Sequence, residues 1–217
     1  MSDTLTHNGE GDDVCRTYTM VKCKNMRIKS LMDNKIVYGS IRTIENMTQE
    51  IIKIDQAMSE LKRVMDATPE QYNEMLQQSI QLSQELGNNV HDVLKSLNEA
   101  ARSFGDLSQE QLLAITKTAT IATNVSDLSA DEAMQDLIGT MNAFNIAAED
   151  SIQIVDKMNE VDNNYSISTK QIADAMSKAS STAVTFGVNI DELIGHITAI
   201  GEVTMESGSV IGKCVAA

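Results

Sequence analysis

Proline is nearly missing from this chain: Pro69 stands alone in 217 residues. Proline removes a backbone donor and breaks helices, so its rarity fits long helical stretches better than sheet and turn. Tryptophan is absent, and aromatics make up 3% of the residues, too few for a platform on which nucleic-acid bases could stack. Basic residues are short as well, 17 Lys and Arg against 31 Asp and Glu, for a formal charge of −14. Phosphate contacts need clustered Lys and Arg, so this balance argues against a nucleic-acid partner; solubility is the simplest reading of the acidity. The three cysteines, Cys15, Cys23 and Cys214, are odd in number and not closely paired, which makes no disulfide framework. No secretory h-region opens the chain, and no apolar run nears the roughly 20 residues of a membrane helix. The expectation is a chain made and kept in a reducing cytoplasm, at least until assembly. Its length allows one domain with a real core or two small ones, and 42% hydrophobic with 22% charged residues is ordinary for a soluble protein.

In chain order, residues 1–35 read as a disordered or weakly structured head. Residues 1–13 are polar. Residues 14–29 alternate loosely and carry Arg16, Lys22, Lys24, Arg27 and Lys29, a pattern that admits a short strand or hairpin. The basic cluster suits an acidic partner or, more simply, a solvated strand face. From residue 36 the period changes. Ile44, Met47, Ile51, Ile54, Met58, Leu61 and Met65 recur at alternating three- and four-residue steps, an a/d seam through three heptads. This predicts one long helix over 36–67. It either self-associates through that seam or packs on its own domain, and the pattern suits both.

From residue 68 the sequence becomes a train of capped amphipathic helices. Thr68 with Gln71 and Pro69 at the first helical position, Ser108 with Gln111, Ser129 with Glu132, Ser168 with Gln171, and Asn189 with Glu192 are capping boxes. Asn88 or Asn89 caps a further helix, and one without a clear cap begins near Ala147. Gly87, Gly105 and Gly187 follow helical stripes as stop signals. Apolar or small residues recur at helical spacing between these marks, as in Ile172, Ala175, Met176, Ala179, Ala183 and Phe186. That stripe is lined with Ala and Ser, so a partner helix can come close. Thr68 and Asn89, Ser108 and Ser129, and Ser168 and Asn189 are each 21 residues apart. Two such modules fill the roughly 40-residue period of HEAT-type repeats, although no residue-level repetition accompanies it. The predicted fold is all-α: short antiparallel helices over 68–213 behind one long heptad-patterned helix, with 214–217 a truncated tail.

Chemistry is hard to find in this pattern. Residues 208–214, G-S-V-I-G-K-C, have three residues between the glycines where a phosphate loop needs four, and Cys214 replaces the hydroxyl. The carboxylate pairs Asp131–Glu132, Glu149–Asp150 and Asp191–Glu192 fall in first turns, where acids complement the helix dipole. His7, His91 and His196 are far apart and lack ligand partners. Eight of the thirteen methionines (Met47, Met58, Met65, Met75, Met134, Met141, Met158 and Met176) sit on apolar stripes, as core or as a repackable groove for another helix. No catalytic, cofactor-binding or metal-ligating residue is expected, and no enzyme.

The pieces D-K-M-N-E-V-D-N-N-Y at 156–165, A-M-S-K-A-S-S-T-A at 175–183, F-G-V-N-I-D-E-L-I at 186–194 and T-A-I-G-E-V-T-M-E-S-G at 198–208 occur in this order. With F-G-D-L-S-Q-E-Q-L at 104–112 and L-S-A-D-E-A-M at 128–134, the chain over roughly 41–213 resembles the core region of phage tail tape measure proteins. The resemblance implies a structural protein that templates tail tube polymerisation and whose length sets tail length. Implied partners are the tail tube protein, tail assembly chaperones and baseplate or tail-tip proteins. The implied location is the host cytoplasm during assembly and the tail lumen in the virion, where an acidic surface would let DNA pass without sticking. Such proteins are usually much longer, so this chain is expected to be an N-terminal fragment. The alternative from another class is a cytoplasmic helical scaffold that binds partner helices in a Met-lined groove.

Overall fold

The computed structural model describes residues 46–217, and every regular element among them is a helix. The polar head, the strand or hairpin expected around 14–29, Cys15, Cys23 and His7 lie outside the described residues. The chain divides into two units, Met1–Ile51 and Ile52–Ala217. Residues 46–64 are helical and are called α1. There follow α2 (Pro69–Leu86), α3 (Val90–Ser103), α4 (Gln109–Val125), α5 (Ala130–Phe144), α6 (Ser151–Asn164), α7 (Thr169–Thr185), α8 (Ile190–Thr204) and α9 (Gly208–Ala216), with a single 3-10 turn, Ala148–Asp150, leading into α6.

The capping chemistry places these boundaries. At α2, α4, α5, α7 and α8 the N-cap side chain accepts from the backbone N–H three residues on, and that residue's side chain reaches back to the N-cap N–H. Two of the four orphan donors at each helix start are thereby satisfied. Asn89 stands at the N-cap of α3 without a side-chain bond. Gly87 (φ 74°) and Gly187 (φ 77°) take the left-handed conformation expected of stop residues, whereas Gly105, after the α3 C-cap Phe104, does not; Phe186, expected on the α7 stripe, is instead its exposed C-cap. Ser168→Ala removes the acceptor 3.2 Å from the Gln171 N–H. It is expected to cost about 1 kcal/mol, read as a lower urea midpoint at unchanged slope.

Side-chain bonds show how the helices stack. Lys95 near the start of α3 reaches Asp131 at the start of α5 at 2.5 Å. Glu132 at the start of α5 takes Lys170 at the start of α7 at 3.0 Å. At the opposite end, Asn124 Nδ2 of α4 donates to the Leu86 carbonyl of α2 at 2.8 Å. Each bond joins like ends of helices two places apart, so next-but-one helices run parallel and consecutive ones reverse. The sequence separations of these bonds are 36, 38 and 38. Each helix packs on those one and two places along the chain, with α3, α5, α7 and α9 forming one layer and α2, α4, α6 and α8 the other. This is the geometry of a two-helix repeat near 40 residues.

The core lies between the layers, where Met75, Leu97, Ile115, Met134, Ile172 and Leu193 are fully buried. From α1, Ala57, Met58 and Leu61 join it, and Asn98 Nδ2 of α3 donates to the Ala57 carbonyl at 2.9 Å. The Tyr72 hydroxyl donates to the Met65 carbonyl at 2.7 Å and pins the turn into α2. Of the two readings of the heptad seam, packing on the chain's own domain holds where Met58 and Leu61 are buried in the core and Ile54 and Met65 are half-buried, so these positions are not free to self-associate. Met47 and Ile51 are exposed, at 62% and 66%, and Ile44 lies outside the described residues.

Candidate functional site

The paired carboxylates are tied into helix starts. Besides its bond to Lys95, which raises the lysine pKa, Asp131 has Glu132 beside it closing a capping box. The Ser129 backbone N–H first, then Lys170, hold Glu132 down to about 2. Asp191 pairs with Lys157 of α6, and Glu192 accepts from the Asn189 N–H at 3.1 Å. Glu149 accepts from Gln111 Nε2 at 2.8 Å, which lowers its pKa. His91 Nδ1 lies 3.2 Å from Asp92, while His196 is exposed on α8. Among the described residues no three His, Cys, Asp or Glu side chains are grouped to hold a metal ion. Residues 208–214 belong to α9 rather than to a loop, and Cys214 on it is exposed.

The partner of the Ala-lined face of α7 is α9. A Cβ added at Gly212 would lie 2.8 Å from the Ala175 Cα and press on the Ala175 carbonyl; one at Gly208 would lie 2.7 Å from the Asp174 Cβ and press on the Gln171 carbonyl. The two glycines are one turn apart, so the backbones meet along one seam. Asp162, inside the D-K-M-N-E-V-D-N-N-Y stretch, accepts from the Thr169 N–H and hydroxyl at 2.8 Å each, and so holds the start of α7 from α6. Sequence reasoning missed this cap because Asp162 is seven residues away from Thr169.

One carboxylate is out of keeping with its surroundings. Asp136, on the α5 face toward α7, sits among Ala133, Leu137, Thr140 and Ala173. Burial raises its pKa to about 6, Asp174 and Glu132 push the same way, and Lys178 and Lys170 offset part of the effect.

The open concavities lie on the even-numbered layer. A groove of about 700 Å³ runs between α2 and α4, over Leu82 and Leu113 and between Glu74, Glu85, Glu110 and Lys117. A smaller one of about 360 Å³ lies between α6 and α8, over Val161, Ile194 and Gly195. Charge is also uneven. The even layer carries ten acidic residues (three each on α2, α6 and α8 and one on α4) against Lys117 and Lys157. The odd layer is nearly balanced, with Lys95, Arg102, Lys170, Lys178 and Lys213 set against six acids. The methionines do not line these grooves: Met58, Met75, Met134, Met141, Met158 and Met176 are buried in the core, which corrects the Met-lined groove of the scaffold alternative.

A family model described as phage-related minor tail protein matches residues 76–215, from within α2 through α9. No solved structure matches the chain. Among the described residues no helix is long and apolar enough to cross a membrane.

Proposed function

This chain belongs to the phage-related minor tail protein family, and from that premise we propose that it is part of the tape measure, which templates tube polymerisation and sets tail length. The reading is carried by the coincidence of the matched residues with the stacked-helix unit. It is supported by the order of the tape-measure-like pieces, which now fall on named features. D-K-M-N-E-V-D-N-N-Y is the end of α6 with the Asp162 cap, A-M-S-K-A-S-S-T-A is the α7 face under α9, and F-G-V-N-I-D-E-L-I is the turn and capping box of α8. The proposed partners are the tail tube protein, the assembly chaperones and baseplate or tail-tip proteins. The proposed locations are the host cytoplasm during assembly and the tail lumen afterwards.

The physical form of the measure is testable. A single helix lengthens by about 1.5 Å per residue, so α4 with α5, residues 109–144, corresponds to roughly 54 Å of extended helix. The same residues in a stacked array add one interhelical spacing, about 10 Å. In a phage carrying this gene, deletion of α4 and α5 in frame should shorten the tail by one of these two amounts, measured by electron microscopy. Tails of unchanged length and normal number would end the ruler reading and leave tail-family membership standing.

A further inference from the structure

We propose that the groove between α2 and α4 is a docking surface for a basic amphipathic helix of a partner protein. This deepens the tail reading by giving the chemistry of one partner, and it stands on the groove itself. Glu74, Gln78, Gln81 and Glu85 lie along one stripe of α2. They span twelve residues, whose eleven steps cover about 16 Å, three turns of helix. Glu110, Leu113, Ala114 and Lys117 form the facing stripe of α4. The floor is apolar, with Leu82 and Leu113, and the rims are polar. That profile accepts a helix that is greasy on one side and charged on the other.

The sign of the charge selects the partner. Among the described residues, Glu74, Glu85 and Glu110 form no ion pair. Glu74 and Glu85 instead accept from neutral amides, Gln78 Nε2 at 3.4 Å and Gln81 Nε2 at 2.7 Å. Gln109 Nε2 donates to Gln78 Oε1 at 3.2 Å across the groove, a bond between neutral groups. Three carboxylates therefore face the open space with one lysine, Lys117, among them. The α6–α8 groove is half as large, and Lys157 already sits on Asp191 there. The two layers differ in the same sense: cations are set against acids on the odd face and largely missing from the even one. Lysines or arginines flanking an apolar stripe would complement the rims, and a phosphate backbone would be repelled.

The probe is a helical peptide of about 15 residues, leucine on one face and lysine elsewhere, with a scramble of the same composition. Both are titrated into the full chain at about 0.15 M ionic strength, where long-range attraction is screened. The ordered peptide should bind about tenfold more tightly than the scramble and perturb backbone amides of α2 and α4. The combined Glu74→Gln, Glu85→Gln and Glu110→Gln variant, all at exposed rim positions, should weaken it about tenfold, and so should Leu113→Gln in the floor. A control with Glu99→Gln, Asp127→Asn and Glu206→Gln removes the same charge elsewhere and should change affinity less than about twofold. The rim variant decides the matter if Leu113→Gln does not fold. Equal binding of the scramble, equal loss in the control, or amide changes away from α2 and α4 would overturn the proposal. So would a groove that takes no peptide but whose rim variant alters self-association in sedimentation, which would assign it to a second copy. None of these outcomes touches membership of the tail family.

Discussion

Gly212→Ala should release α9 from α7. The new methyl would lie 2.8 Å from the Ala175 Cα and closer still to its carbonyl oxygen, and both are backbone atoms of a helix packed also on α5, α6 and α8. No rotamer change relieves that contact, so the two helices must separate. Overpacking of this kind costs about 1–3 kcal/mol. Alanine's better helix propensity returns at most about 1 kcal/mol of it. Gly208→Ala meets the Gln171 carbonyl and the Asp174 Cβ in the same way. It sits at the first helical position, where propensity gives nothing back, so its net loss should be the larger. For a protein of this size the melting temperature should fall by roughly 2–4 °C per kcal/mol. Hydrogen exchange is the more specific reading, because a nine-residue helix cannot persist undocked. Amide protection in α9 should collapse while that of α3 and α4 is unchanged. The same substitution at Gly139 and Gly195, helical positions with nothing within 4 Å of the new Cβ, should instead stabilise by about 0.5–1 kcal/mol. A Gly212→Ala protein as stable as its parent, with α9 still protected, would show that the close approach is not tight.

Asp136 should make the protein gain stability on mild acidification. Its folded pKa of about 6 lies above the ordinary 3.8, so the folded state binds the proton more readily than the unfolded chain. The stability tied to this group is fully present below about 3.8 and is lost as pH rises through 6, where the carboxyl ionises among Ala133, Leu137 and Ala173 with Asp174 and Glu132 nearby. Asp136→Asn removes the ionisation and keeps the shape. At pH 7.5 it should raise unfolding free energy by about 1–2 kcal/mol, a figure reduced from the full shift because solvent reaches part of the carboxyl. At pH 4 it should be close to neutral. Glu132 works in the opposite sense: its folded pKa of about 2 lies below the ordinary 4.5, so its contribution is lost as pH falls from 4.5 toward 2. The parent should therefore be most stable between the two windows, near pH 4–5. Urea titrations across pH 3–8 would show it, and a parent whose stability rises steadily from pH 4 to 7.5 would refute the assignment.

Much of this architecture was legible because its signals are local. A cap and its reciprocal side chain are three residues apart, so Ser108 with Gln111 or Asn189 with Glu192 can be read without knowing what the helix packs on. Stops written in glycine, Gly87 and Gly187, were equally plain. Those written as Asn145 and Met205, both at φ 52°, were not: asparagine takes a left-handed turn readily but serves as often at helix starts, and methionine rarely takes one. The 21-residue spacing of caps hinted at a repeat, but its confirmation lies in bonds between residues 36 to 38 apart, such as Lys95 with Asp131, which no short window contains. The seam of α1 left two readings open for a related reason. A three-and-four rhythm says that one face is apolar, and nothing in it says whether Met58 and Leu61 are covered by another chain or, as here, by their own core. The α2–α4 groove left no trace in sequence, because the glutamates and glutamines of its α2 stripe read as an ordinary wetted surface until a second helix is set opposite them.

Because each helix packs chiefly on those one and two places along, tension applied to one end acts first on the terminal helix and its two neighbours. Such an array peels like a zipper rather than snapping like a clamp.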